Sequence, residues 1–268
     1  MQIKFWGVRG SVPWATPSAI GHGCNTPCIE ISDEHTGATL ILDAGSGIVG
    51  LGNSLSGEPR DLPIVLTHYH WDHIQGLPFL AQLYRPGWTP RIYAPRFESH
   101  DPAWVETIFR SPFFPVPVEH LPNRPPIEVI TAGEMRIGGF DLSAAALNHP
   151  GGALAYRVRG MTGDLVYATD HEFGDLQRDE ALADFARGAS AIVLDSHFTP
   201  DEMGAHKGWG HSDWRQCAEF AAANDIGGLW LFHHKPGRTD EELVRVRSDA
   251  RRVFAATEAA GEGEMLQL

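Results

Sequence analysis

The sequence predicts an α/β protein in which two sheets pack together with helices on the outside. Short β-rich runs and helical periodicity follow one another in the order β-rich, helix, β-rich, helix along 268 residues, a pattern that fits two packed sheets covered by helices. Apolar residues make up 43% of the chain, enough for the large core such layers need. Histidine and aspartate recur just past the ends of apolar runs, along what would be one edge of a sheet core. No repeat at fixed period and no low-complexity linker divides the chain, so residues 1–268 are expected to form one domain.

Ile3-Val8, Cys28-Ser32 and Thr39-Leu42 read as strands joined by Gly- and Pro-rich turns. After Asp43-Ala44-Gly45-Ser46-Gly47, apolar periodicity from Ile48 to Leu55 predicts a short helix. Pro63-Ile64-Val65-Leu66 is a buried strand, followed by a helix from about Gly76 to Tyr84 and a strand at Arg91-Ala94. Residues 95–126 differ in character. Asp101-Arg110 can be helical, whereas the prolines of Ser111-Pro112-Phe113-Phe114-Pro115-Val116-Pro117 predict extended chain. A segment this long suits either a lid that lines a binding site or a loop packed on the core or a partner subunit. The β-pattern resumes at Ile127-Ile130, Met135-Ile137, Phe140-Leu147, Leu154-Arg159 and Leu165-Ala168. A helix at Asp179-Arg187 and a strand at Ala191-Leu194 follow. Helices at about Ser212-Asn224 and Thr239-Ala260 flank the strand Leu229-Phe232, with Ser212-Asp213 and Thr239-Asp240 as caps.

His68-Tyr69-His70-Trp71-Asp72-His73 is the most informative stretch, with four metal-binding side chains within six residues directly after a strand. Imidazole with carboxylate suits zinc, iron or manganese. Further ligand types stand at other strand exits: His149, Asp170, and the pair His233-His234. Each alone reads as a cap or surface group, but together they complete the ligand set that a two-ion site needs. His22, Cys24 and Cys28 also lie close together, although buried small residues explain the cysteines better, because no second ligand pair of matching spacing follows.

Through the His68/His70/Asp72/His73 loop with His149, Asp170 and His233, the chain resembles the metallo-β-lactamase-fold hydrolases. Gly7-Val8-Arg9-Gly10-Ser11-Val12-Pro13, Asn25-Thr26, Leu42-Asp43-Ala44-Gly45-Ser46-Gly47, Asn148-His149-Pro150, Gly208-Trp209-Gly210-His211-Ser212 and Phe232-His233-His234 look like its phosphodiesterase branch. That branch includes tRNA 3′-processing ribonucleases, cyclic-nucleotide phosphodiesterases and phosphoribosyl cyclic phosphodiesterase. The resemblance runs from Ile3 to about Asp240 and implies a four-layer αββα sandwich. It implies two divalent ions, zinc first with manganese or iron as alternatives. His68, His70 and His149 would hold one ion, Asp72, His73 and His233 the other, with Asp170 bridging and His234 competing for the last place. By the same resemblance Asp43 orients the histidine loop from behind, and His211 contacts phosphate and protonates the leaving group. Arg9, Ser11, Asn25, Thr26 and His234 are candidate pocket residues; Asp195 and His197 could orient His211, although a structural role fits each better. The chain departs from the branch at Gly23-Cys24 before Asn25-Thr26, where Gly-Gly is usual, and at Lys235, where an acidic residue is common.

These residues predict a metal-dependent phosphodiesterase that cleaves a small phosphodiester, expected to be cyclic, by attack of a metal-bridged hydroxide to which Asp72 contributes. A lactone or thioester hydrolase and a non-catalytic metal-binding sensor are the alternatives. A formal net charge of −13 opposes long nucleic acids, whose binding draws on Lys and Arg. The absence of any run of about 20 apolar residues excludes a membrane-spanning helix. Met1-Gln2-Ile3-Lys4-Phe5-Trp6-Gly7 runs straight into strand-like sequence with no signal-peptide pattern, so the expected location is the cytoplasm. A homodimer is compatible with all of this.

Overall fold

A computed structural model describes residues 1–56, 60–98 and 100–268. The first sheet is built from β1 (Gln2–Gly7), β2 (Cys28–Asp33), β3 (Ala38–Leu42), β4 (Asp61–Val65), β5 (Thr89–Pro95) and β6 (Ile127–Ile130). The second is built from β7 (Gly133–Ile137), β8 (Phe140–Ala146), β9 (Leu154–Arg159), β10 (Asp164–Ala168), β11 (Ala191–Asp195), β12 (Leu229–Phe232) and β13 (Thr257–Ala259). The last strand, β14 (Met265–Gln267), returns to the first sheet beside β1, so the orders are β14-β1-β2-β3-β4-β5-β6 and β13-β12-β11-β10-β9-β8-β7. In each sheet one half is antiparallel and the other parallel: β3 to β6 and β10 to β13 run in the same direction. Parallel pairing brings the C-terminal ends of neighbouring strands to one edge, where open α/β sheets bind ligands.

Strand periodicity explains the layering. In β1 the side chains of Ile3 and Phe5 are buried while Gln2 and Lys4 are only partly covered. They join Leu40, Leu42 and Val65 against Leu142, Tyr156, Leu165, Tyr167 and Val193 of the second sheet. The opposite faces are apolar too and are covered by helices. Ile41, Leu62 and Ile64 pack under α1 (Gly47–Ser54), whose Ile48 and Leu51 face inward. Val166, Ile192, Leu194 and Leu229 pack under α3 (Leu176–Ala186), α5 (Trp214–Ala223) and α6 (Asp240–Arg251). Burial of both faces at roughly 25 cal/mol per Å² of apolar surface is what holds the four layers together. The expected αββα sandwich is the observed one. Asp213 and Thr239 cap α5 and α6, each with a reciprocal capping box.

Three expectations need correction. The helix expected at 76–84 is instead a short α2 (Trp71–Ile74) inside the histidine loop and two 3₁₀ turns, Leu77–Phe79 and Ala81–Leu83. Pro78 lacks an amide donor and Leu80 is extended, so no continuous helix forms. Ser111-Pro112-Phe113-Phe114 is a turn, closed by the Phe113 amide on the Arg110 carbonyl at 2.8 Å, because proline suits turns as well as extended chain. The final helix stops at Arg251, since Thr257, Glu258 and Ala259 pair in parallel with Leu229, Trp230 and Leu231. Strand pairing there overrides local helical preference. A helix α4 (Pro200–His206), capped by Thr199, and β14 were not expected.

Residues Pro102–Phe109 form a 3₁₀ helix whose Val105, Ile108 and Phe109 are buried in the outer layer of the first sheet. The neighbouring Ser99 lies outside the described residues. No helix among the described residues is long and apolar enough to cross a membrane.

Candidate metal centre

The two sheets meet where their parallel strands end. The Leu154 amide donates to the Thr67 carbonyl at 3.0 Å, and the Tyr167 hydroxyl of the second sheet donates to Asp43 Oδ2 of the first at 2.8 Å. Asp43 directly follows β3, the histidine loop follows β4, Asp170 follows β10 by two residues, and His233 directly follows β12. Asp43, Asp170 and His233 all adopt left-handed backbone, with φ of 61°, 60° and 58°. Each costs on the order of 1 kcal/mol in a non-glycine residue. The turn swings each side chain back over the strand ends instead of letting the chain run on.

The ligand types converge. His68, His70 and His149 form one group, His68, His73 and Asp170 a second, and Asp72, His73 and His233 a third, with ligand atoms inside each group within 4.8 Å of one another. The groups share His68 and His73, so all seven side chains named for the metal are brought together. His73 Nε2 lies 3.2 Å from Asp170 Oδ2 and 3.4 Å from His233 Nε2, which is 3.0 Å from Asp72 Oδ2. His149 Nε2 faces His70 Nδ1 at 3.0 Å.

Hydrogen bonds on the far side of three rings set which nitrogen faces inward. His73 Nδ1 donates to Asp43 Oδ2 at 2.8 Å, and His149 Nδ1 donates to the Gly210 carbonyl at 2.9 Å. His68 Nδ1 lies 3.0 Å from Thr67 Oγ1, whose hydroxyl hydrogen goes to Asp43. In each case Nε2 is left with its lone pair pointing into the cluster. His68 Nε2 is buried without a hydrogen-bond partner among the described residues, a costly arrangement in the absence of a ligand for it. Burial also holds His68 and His149 below the usual imidazole range, in the neutral form that binds metal. For Asp170, burial alone would raise the carboxyl, but His233 and His73 outweigh it and hold it well below the ordinary range. Imidazole nitrogens facing one another, an orphaned Nε2 and two ionised carboxylates fit a divalent cation.

His211 stands beside this cluster, its Nδ1 2.6 Å from Asp195 Oδ2 and 3.5 Å from Asp170 Oδ1. Burial lowers its pKa, but Asp195 and then Asp170 and Asp72 bring it up to about 9. Asp195 Oδ1 also takes the His197 amide, and the His197 ring stacks on His211 at 4.6 Å. Both residues therefore pack around His211.

Of the remaining pocket candidates, Ser11 reaches the cluster through its backbone, and the others are engaged elsewhere. Arg9 is fully buried, with Nε, Nη1 and Nη2 donating to the carbonyls of Gly23, Arg238 and Ala19. Its charge is used to hold three loops together and does not face the cluster. Asn25 Nδ2 donates to Glu262 at 3.1 Å and its Oδ1 accepts from Ser46; Thr26 Oγ1 accepts from the Ser46 amide and Gln75. His234 Nε2 donates to the Ala260 carbonyl at 2.8 Å, and burial lowers its pKa to about 3, so it points away from the ligands that His233 joins. Ser11 is exposed, and it is its amide that reaches Asp72 Oδ2, at 2.7 Å. His22 is bonded to Asp240 at 3.0 Å, and no metal-holding group among the described residues includes it, Cys24 or Cys28.

Two supports were not anticipated. Thr67 ties Asp43 to the histidine loop through both its amide and its hydroxyl. Glu172 takes the Gly208 and Gly210 amides and so clamps the loop that carries His211. Thr67 directly precedes the motif and Glu172 follows Asp170 by two residues, yet neither type signals such a role from sequence.

The profile of the beta-lactamase superfamily domain matches residues 39–234. The chain belongs to that superfamily. A Ribonuclease Z of Bradyrhizobium sp. (strain ORS 278) is 26% identical to it over 314 aligned positions that cover 99% of each protein. Among solved structures, the metallo-beta-lactamase fold protein YhfI from Bacillus subtilis superimposes with a TM-score of 0.73 at 19% identity, covering 99% of both chains. Zn(2+)-bound PqqB from Methylobacterium extorquens superimposes with a TM-score of 0.72 at 15% identity, covering 100% of both. These likenesses establish the metallo-β-lactamase fold for this member of the superfamily.

Proposed function

We propose that this superfamily hydrolase cleaves a phosphodiester bond in a small substrate at a two-ion centre. His68, His70 and His149 would hold one divalent ion and Asp72, His73 and His233 the other, with Asp170 between them. Zinc suits this set, and manganese or iron are the alternatives. Such ions supply Lewis-acid neutralisation of phosphoryl oxygens and an activated water. The observation that carries the phosphodiester reading is the Asp195–His211 pair at 2.6 Å, set against Asp170 at the rim of the ligand cluster. Asp195 occupies His211 Nδ1, which fixes the ring and leaves Nε2–H to donate. Cleavage of a phosphodiester expels an alkoxide that needs such a donor. Glu172 and Asp195 together keep the imidazole at that rim.

The names of the curated relatives favour a second reading, an RNA phosphodiester. The net charge of −13 argues for the smaller substrate, since a polyanion is held largely through phosphate neutralisation. Bis(p-nitrophenyl) phosphate, a cyclic nucleotide, a lactone and a tRNA precursor given to purified protein separate these readings. The expected result is turnover of the small diesters, lost on chelation and restored by manganese or zinc. Turnover of the lactone alone, or of the tRNA alone, would overturn the proposal.

A further inference from the structure

A cavity of about 660 Å³ opens directly beside His68 and His70, within the usual size of a small-molecule site. Its floor is the histidine loop itself, with Tyr69, Trp71 and Ile74, and one side is Pro150-Gly151-Gly152 after His149. The opposite wall comes from the segment after β5: His100, Trp104, Ile108 and Phe113 among others. Among the described residues that line it there is no Lys, Arg, Asp or Glu. Three aromatic side chains around it stay open to solvent, Trp71 at 56%, Trp104 at 53% and Phe113 at 71% exposure. Large apolar groups clustered in this way at the rim of a polar centre mark a binding surface.

The wall is held in place. Ile108 within it and the adjacent Phe109 are buried, and a Cβ on Gly152, whose φ is +90°, would stand 2.7 Å from the Phe97 ring. The His149 loop and the segment after β5 therefore touch at their base. The aromatic planes are arranged in alternation: Tyr69 stacks on His100 at 6.2 Å and 27°, and Trp104 meets His100 edge-on at 5.4 Å and 79°. Such a surface prefers a flat ring to a charged or hydrated group.

We propose that this cavity selects substrates carrying a flat, uncharged aromatic group next to the scissile phosphodiester, a nucleobase or another aryl ring, and that Trp104 and Phe113 determine that specificity. The assignment rests on the phosphodiester reading for its reaction, though not for its binding.

The test compares p-nitrophenyl phosphodiesters that share one leaving group and differ only in the retained substituent: methyl, cyclohexyl or phenyl. With zinc-loaded protein the phenyl ester is expected to exceed the methyl ester roughly 10–100-fold in kcat/KM, the worth of burying one ring, with cyclohexyl between. Trp104→Ala and Phe113→Ala should bring the phenyl-to-methyl ratio down toward one while metal content and Tm stay near those of the parent protein. A thymidine ester outrunning the phenyl ester would identify a nucleobase, and the reverse a simple aryl group. Equal kcat/KM for methyl and phenyl, or cyclohexyl matching phenyl, would overturn the inference. Calorimetry with phenylphosphonate and methylphosphonate reads the cavity without turnover. Tighter phenylphosphonate binding with no diester cleaved would retain the cavity's preference and overturn the phosphodiesterase reading; cleavage without any phenyl preference would do the opposite.

Discussion

Glu172 Oε2 accepts the Gly210 amide at 2.7 Å, and the Gly210 carbonyl in turn accepts His149 Nδ1 at 2.9 Å. One carboxylate thus orients a candidate ligand and, through the same loop, the His211 ring. Glu172 itself is anchored by its own amide on the Asn148 carbonyl. Glu172→Ala removes charge-assisted bonds to two amides, worth roughly 1.5–3 kcal/mol each before water compensates. We expect about 10–100-fold weaker metal binding, the usual effect of losing an outer-sphere partner. Metal titration checks this, with Glu172→Gln recovering part of the loss because one acceptor oxygen remains.

Asp43 sits at the junction of the sheets and receives the Thr67 amide, the Thr67 hydroxyl, the Tyr167 hydroxyl and His73 Nδ1. Asp43→Ala strands all four buried donors and should cost at least about 3 kcal/mol, whereas Tyr167→Phe alone should cost about 1 kcal/mol. In the Asp43→Ala background, Tyr167→Phe should cost nothing or restore stability, because the hydroxyl has already lost its acceptor. Denaturant midpoints for the four proteins measure this. Full additivity would mean that the Tyr167–Asp43 bond contributes nothing.

His211→Ala should leave metal content intact and lower phosphodiester turnover by roughly 10²–10⁴, the span of a lost acid–base group. Asp195→Asn should fall in the same direction by less, since the ring remains while its orientation loosens. An ester whose leaving group needs no proton, such as p-nitrophenolate, should be affected far less than an alkyl ester by either change. Equal losses on both esters would assign His211 to structure alone.

Glu202 gives a pH prediction away from the metal ligands. Burial pushes its carboxyl up, but Lys235, the Thr199 amide and Arg238 outweigh this and bring it from the ordinary 4.5 to about 2. A carboxyl depressed in the folded state stabilises above its unfolded value and loses that contribution as pH falls through the folded one. The stability difference between parent and Glu202→Gln should therefore be largest above about pH 5 and shrink toward pH 2. Equilibrium unfolding of both proteins across that range measures it.

The candidate ligands stand out in the sequence because their chemistry is local. Four of them lie within six residues, and a short apolar run ahead of them is enough to place the group at a strand exit. The isolated candidates His149, Asp170 and His233 were legible as strand-exit residues, and the resemblance supplied their proposed grouping. The polar groups of the pocket candidates Arg9, Asn25 and Thr26 are engaged by loop partners. A motif shows that a polar residue stands near a site, but burial decides whether it faces a ligand or a backbone carbonyl, and here their polar groups are spent on loops.

What the sequence by itself determined is the layering and the candidate ligand types: strand periodicity with apolar faces forces two sheets together under helices, and residue type decides what can bind a cation. Only the tertiary structure decided which nitrogen of each ring faces inward, since that depends on acceptors as distant as Gly210 from His149. It also decided the left-handed turns at Asp43, Asp170 and His233, which local preference disfavours and only the surrounding packing sustains. The cavity wall of Trp104 and Phe113 belongs to the same class: long-range contacts with the first sheet fold that segment beside the histidine cluster, and no periodicity within it could have said so.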